Sequence, residues 1–82
     1  MTAIEAAAIM DRCDSLAEAD RLLAPFSSSR WMRWGMWDAY KGLPKSTAGI
    51  VSENSAMTPR QKSWVDQYLD GYAIGGTLAK KG

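Results

Sequence analysis

Histidine is absent from this 82-residue sequence, and cysteine occurs once, as Cys13. Without histidine there is no histidine-based acid–base catalysis, no histidine-activated nucleophile and no metal site with histidine ligands. One cysteine alone cannot form a structural zinc site or an internal disulfide. We therefore expect a non-catalytic protein that has no metal or other cofactor and that resides in a reducing cytoplasm.

Long apolar runs and a strong net charge are also missing. No apolar run reaches about 18 residues, and acidic residues interrupt the N-terminal region, so we expect neither a membrane span nor a signal peptide. The formal net charge is +1. Residues 29–50 contain one acidic residue, Asp38, and four basic residues, which are Arg30, Arg33, Lys41 and Lys45. This excess is smaller than a strong nucleic-acid binder usually displays, and it is more typical of a solvated rim around an apolar helix.

The residues that are present favour helices. Apolar residues make up 46% of the chain, which is sufficient for one small core in a single domain. Two capping boxes, Thr2 with Glu5 and Thr58 with Gln61, are specific signals for helix starts. Apolar side chains recur at helical spacing, with no sustained alternation of the kind that strands require. The sequence therefore predicts an all-α, single-domain bundle of three to four helices over residues 1–82.

Helix breakers set the predicted boundaries in the first half of the chain. Residues 2–26 contain a second start signal, Ser15 with Glu18, so they form either one helix bent near Asp14 or two helices joined there. The next helix follows the serine run at 27–29 and should end near Lys41, because Gly42 can supply a C-terminal cap.

In the second half, residues 42–57 are rich in small and polar side chains, and we expect a mobile loop. Thr58 then opens a helix that should stop at Asp70 and Gly71. A short final helix through Ile74 and Leu78 would be weakened by the adjacent glycines at 75 and 76, each of which costs about 1 kcal/mol relative to alanine.

The segment from Arg30 to Lys41 is the most informative part of the sequence. On a helix its three tryptophans share one arc of roughly 120°, whereas Met32, Met36 and Tyr40 occupy another arc nearly opposite. The large apolar area of the tryptophans predicts a structural role for their arc. The second arc, beside arginine, resembles an adaptable interface. The reverse assignment stays open, because tryptophans are also frequent interface hot spots. The predicted partner-binding residues are Arg30, Met32, Arg33, Met36, Tyr40 and Lys41.

Two short stretches resemble known families. Residues 33–37 (Arg-Trp-Gly-Met-Trp) with 41–44 (Lys-Gly-Leu-Pro) resemble the opening of lambdoid phage late antitermination proteins. Residues 58–61, 69–72, Ile74 and 78–81 resemble the entry to a sigma-factor-like helix-turn-helix, with 78–81 in its first helix. The resemblance implies a phage or mobile-element protein that binds DNA and attaches to RNA polymerase. The recognition helix, which would read the DNA bases, would follow Lys81, but the sequence ends at Gly82. We therefore expect weak or no direct DNA binding.

These observations leave three functional classes. We expect a small helical regulator or inhibitor of phage type that docks on a host protein complex, either RNA polymerase or another nucleic-acid-handling machine. Self-association as a homodimer stays open. The alternative is a DNA-binding (anti)termination regulator with a degenerate helix-turn-helix, which salt-sensitive retention on heparin or duplex DNA would reveal. An enzyme is the third class, and the missing histidine argues against it.

Overall fold

A computed structural model describes residues 1–45 and 58–81 of the chain. This part contains four α-helices and no strand, which confirms the predicted small all-α bundle. The predicted mobile loop falls largely on residues 46–57, which lie outside the described residues. The helices are α1 (Ala3–Arg12), α2 (Leu16–Leu22), α3 (Arg30–Tyr40) and α4 (Pro59–Lys81).

Each helix begins at a hydroxyl side chain that accepts a hydrogen bond from a first-turn backbone N–H. In α1 and α4 the side chains of Glu5 and Gln61 reciprocate, which confirms both predicted capping boxes. Because a cap also starts α2, the first helical region is two helices and not one bent helix. The capping residues are Thr2, Ser15, Ser29 and Thr58.

The end of α3 is a Schellman motif, as the glycine at position 42 predicts. Gly42 has φ +74°, in the left-handed region that favours glycine. Its N–H donates to the Ala39 carbonyl at 3.1 Å, and the Leu43 N–H donates to the Asp38 carbonyl at 2.8 Å. These bonds satisfy the last carbonyls of α3 and turn the chain away from the helix axis.

The predicted helix stop at Gly71 and the separate short helix after it are wrong, because α4 is continuous from Pro59 to Lys81. Gly71 and Gly75 are packing positions inside this helix. A Cβ atom on Gly71 would overlap the carbonyl oxygen of Met32, and one on Gly75 would overlap that of Met36. The low helix propensity of glycine is thus offset by a backbone contact that any side chain would block.

The contact between α3 and α4 is reciprocal and gives their direction. Gly35 of α3 faces the α4 backbone, where a Cβ would overlap the Tyr68 carbonyl oxygen and lie 2.8 Å from the Tyr72 nitrogen. Met32 lies against Gly71, and Met36, one turn later, lies against Gly75. The two helices therefore run in the same direction, and their interface is the most extensive one in the described structure.

The core lies between this helix pair and the two N-terminal helices. Ile74 and Leu78 of α4 pack against it while staying partly exposed. Burial is the main cause that raises the pKa of the Cys13 thiol, so this side chain is a neutral, small apolar group. The buried members of the core cluster are Ala6, Ile9, Met10, Cys13, Ala19, Leu23, Met36 and Trp37.

Alanine substitutions at two glycines of α4 distinguish the effect of backbone packing on stability from the effect of helix propensity. At Gly76 a Cβ would meet nothing within 4 Å, so Gly76→Ala should leave stability unchanged or raise it by up to about 1 kcal/mol. At Gly71 the same methyl group forces α3 and α4 apart, and Gly71→Ala should lower the free energy of unfolding by about 1–3 kcal/mol. Urea denaturation followed by circular dichroism measures both changes. Equal stability of the two variants would contradict the backbone contact.

Candidate functional site: an aromatic row across two helices

Five aromatic rings form a continuous row across α3 and α4. Ring centroids are 5.4 Å apart for Trp31 and Trp34, and 5.5 Å apart for Trp31 and Trp64. Trp34 meets Tyr68 edge-on at 6.1 Å, and Tyr68 lies 6.1 Å from Tyr72. All these separations fall in the range of favourable aromatic pairs. We call these five residues the aromatic row.

The row lies on the side of the α3–α4 pair away from α1. On α3, Arg33, Met36 and Tyr40 contact side chains of the N-terminal helices. At about 100° per residue, these positions lie roughly 100–160° around the helix from Trp34. On α4, the row occupies every fourth position from 64 to 72, and so forms one stripe. The helix crossing therefore brings two aromatic stripes together on one face.

A buried polar pair fixes the centre of the row. The Tyr68 hydroxyl donates to Oδ2 of Asp38 at 2.6 Å, and both side chains are buried. A buried carboxylate without a partner would be strongly destabilising, so this bond favours one register between α3 and α4. The other four residues of the row are half-buried.

Cationic side chains lie over the aromatic rings. The Arg30 guanidinium lies 5.8 Å from the Trp31 ring centroid, the Lys41 ammonium 4.9 Å from that of Trp37, and the Lys45 ammonium 5.4 Å from that of Tyr72. These distances allow cation–π attraction. Exposed Arg30 and Lys45 therefore place positive charge beside rings of the aromatic row, whereas Lys41 lies against Trp37 of the core.

A groove with a volume of about 220 Å³ lies between α2 and α3, at the edge of the aromatic row. Leu16, Ala17 and Asp20 of α2 line one side, and Arg30 and Trp34 of α3 line the other. Small-molecule sites usually have volumes of about 300–1,000 Å³. This groove is therefore too small for a typical cofactor, and it has room for one large side chain.

The predicted partner-facing arc of Met32, Met36 and Tyr40 is wrong at Met36. Met36 is fully buried in the core. Met32 is half-buried, with its carbonyl against Gly71 and its sulfur 3.3 Å from the Ser27 hydroxyl, which donates to it. Met36 faces inward because it packs in the core cluster with residues of α1 and α2 and its backbone lies against Gly75 of α4.

Two more of the predicted partner-binding residues join helices within the fold. Nε of Arg33 forms a 2.8 Å ion pair with Asp20, and a second guanidinium nitrogen donates to the Ser27 carbonyl at 2.7 Å. The Tyr40 hydroxyl donates to Asp11 at 2.6 Å. This hydrogen bond, together with burial, raises the pKa of Tyr40. Of the six predicted residues, only Arg30 and Lys41 are exposed, and of these two Arg30 lies against a ring of the aromatic row.

The predicted tryptophan arc divides into two parts. Trp37 is buried in the core, as predicted, while Trp31 and Trp34 are half-buried members of the row. Trp64 and Tyr68 of α4 pack on Trp31 and Trp34 of α3. Their contribution to a candidate site was missed, although the spacing of positions 64, 68 and 72 was the available signal.

Substitution of Met36 tests the inward orientation of its arc. Met36→Ala removes a fully buried side chain and should lower the free energy of unfolding by about 2–5 kcal/mol. Met36→Leu conserves volume and should cost less than about 1.5 kcal/mol. Thermal and urea denaturation of both variants measure the difference. A wild-type midpoint for Met36→Ala would show that this side chain faces solvent.

The remaining searches for a site or a relative are negative. Among the described residues there is no group of three or more Cys, Asp or Glu side chains arranged to hold a metal ion. None of the helices in the described part is both long enough and apolar enough to cross a membrane. No protein-family model, curated protein or solved structure matches the chain. The resemblance to antitermination proteins therefore stays a prediction.

Proposed function

We propose that this protein is a non-catalytic interaction protein that binds a partner protein through its aromatic row. The observation that carries the proposal is the position of Trp31, Trp34 and Trp64, which are half-buried in one contiguous row with exposed Arg30 beside them. Tryptophan, tyrosine and arginine are the residues most enriched at interface hot spots. Aromatic rings that are only partly covered retain apolar area that a partner can remove from water.

The rigidity of the row supports the same function. Ordering rotamer-rich side chains at an interface costs about 0.5–1.5 kcal/mol each, so rings that are already held in place bind at a lower entropic cost. Here the backbone contact at Gly71 and Gly75 holds the two helices together, the bond to Asp38 holds the Tyr68 ring, and the tryptophans pack on one another without any partner. This preorganisation favours a specific contact surface over an adaptable one.

Binding of single-stranded nucleic acid is the main alternative use of aromatic rings beside cations. Base stacking needs free ring faces. In the row the tryptophans already pack on one another, with Trp31 between Trp34 and Trp64. The available faces are therefore fewer than the ring count suggests, and we favour a protein partner.

The setting and the partner's identity rest on the family resemblance. On that basis we propose a phage-type regulator or inhibitor in the host cytoplasm, which docks on RNA polymerase or another nucleic-acid-handling complex. Residues 78–81, which the resemblance assigns to the first helix of a helix-turn-helix, belong to the last part of α4.

Affinity capture with matched variants tests the proposal. Tagged wild-type protein is incubated with nuclease-treated bacterial lysate, and the protein that it captures is identified and purified. Calorimetry then measures the affinity of this partner for three proteins, namely wild type, Trp64→Ala and Ile4→Ala. Trp64→Ala should weaken binding by about tenfold or more. Ile4 is 82% exposed on α1, so its substitution should leave the affinity unchanged. Circular dichroism checks that both variants are folded.

Three results would contradict the proposal. Equal affinity of wild type and Trp64→Ala would exclude the aromatic row as the interface. Nuclease-sensitive, steeply salt-dependent binding would identify nucleic acid as the ligand. A homodimer that Trp64→Ala dissociates would assign the row to self-association, and light scattering on the purified protein detects it.

A further inference from the structure

We infer that the groove between α2 and α3 accepts one large apolar side chain of an acidic partner segment, whose neighbouring carboxylate pairs with Arg30. This inference rests on the proposed function and specifies the chemistry of the partner. It is carried by the lining of the groove and by the distribution of charge around it.

The groove has the size and lining of an anchor pocket. Its volume is about 220 Å³, and Leu16, Ala17 and Trp34 supply apolar walls. Interface hot spots are commonly single large side chains that fill desolvated pockets. Trp34 belongs to both the groove and the aromatic row, so an anchored side chain would lie at the edge of the proposed interface.

The unmatched charge at the groove is positive. The acidic lining residue, Asp20, is neutralised by Arg33 at 2.8 Å, and the Arg33 side chain is only 12% exposed. That pair is the only ion pair among the described residues. Arg30 is exposed and itself lines the groove. A carboxylate is therefore the complementary partner group.

Arg30 is the cation that the groove itself presents, because it is exposed and lines the groove. Lys41, after the end of α3, lies instead against the core residue Trp37, 4.9 Å from its ring centroid. On the neighbouring α2, exposed Glu18 and Arg21 have opposite charges and add no net charge. This distribution favours a partner segment in which an acidic residue lies next to an apolar anchor.

Two synthetic peptides of equal length and with blocked ends test the inference on the full chain. One carries a central phenylalanine among glutamates, and the other carries the same phenylalanine among lysines. In a nuclear magnetic resonance titration of the ¹⁵N-labelled protein, the acidic peptide should shift the Trp34 indole and Ala17 amide signals. The lysine peptide should shift neither.

Charge reversal provides matched variants for this titration. Arg30→Glu should weaken binding of the acidic peptide by about tenfold. Arg60→Glu makes the same change of charge at an exposed residue in the first turn of α4, and it should change the affinity by less than about twofold. Both substitutions place an acid near a helix N-terminus, where the helix dipole favours it, so both variants should fold.

The outcomes separate this inference from the proposed function. No shift at Trp34 and Ala17 with the acidic peptide, or preferential binding of the lysine peptide or of oligothymidylate, overturns the inference. Equal weakening by Arg30→Glu and Arg60→Glu overturns it as well, because only net charge would then matter. If Trp64→Ala weakens binding of the captured protein while Arg30→Glu does not, the groove inference fails and the proposed function stands.

Discussion

The backbone contact between α3 and α4 is the constraint on which the rest of this small fold depends. Gly71 and Gly75 bring the α4 backbone against the carbonyl groups of Met32 and Met36, and Gly35 reciprocates from α3. At this separation Cα–H groups can approach carbonyl oxygens directly. Side chains between the helices would prevent such contact, so the three glycines determine the distance, direction and register of the pair.

The register of the two helices also determines which side chains of α3 lie in the core and which lie in the aromatic row. One arc of the helix faces α1 and α2, where Met36 fills the core and Arg33 pairs with Asp20. The other arc carries Trp34 into the aromatic row and leaves Arg30 exposed beside the groove. The proposed interface is therefore a consequence of the helix crossing, because Trp31 and Trp34 come from α3 and Trp64 from α4.

Local features could be predicted from the sequence, and features set by tertiary contacts could not. The caps at Thr2 and Thr58 depend on residues within one turn, so their spacing identified them. Continuation of α4 through Gly71 depends on a helix remote in sequence, and a propensity argument predicted a stop instead. Likewise, the sequence defined two apolar arcs on α3 without information on which of them α1 and α2 cover.

The most direct measurement of the central claim is a nuclear Overhauser effect experiment on the α-protons of the glycines. The account predicts cross peaks from Gly71 to Met32 and from Gly75 to Met36, because parallel helices in backbone contact place these protons close together. Cross peaks that pair Gly71 with Met36 and Gly75 with Met32 would show an antiparallel crossing. Their complete absence would show helices held apart by side chains, and either result would contradict the account.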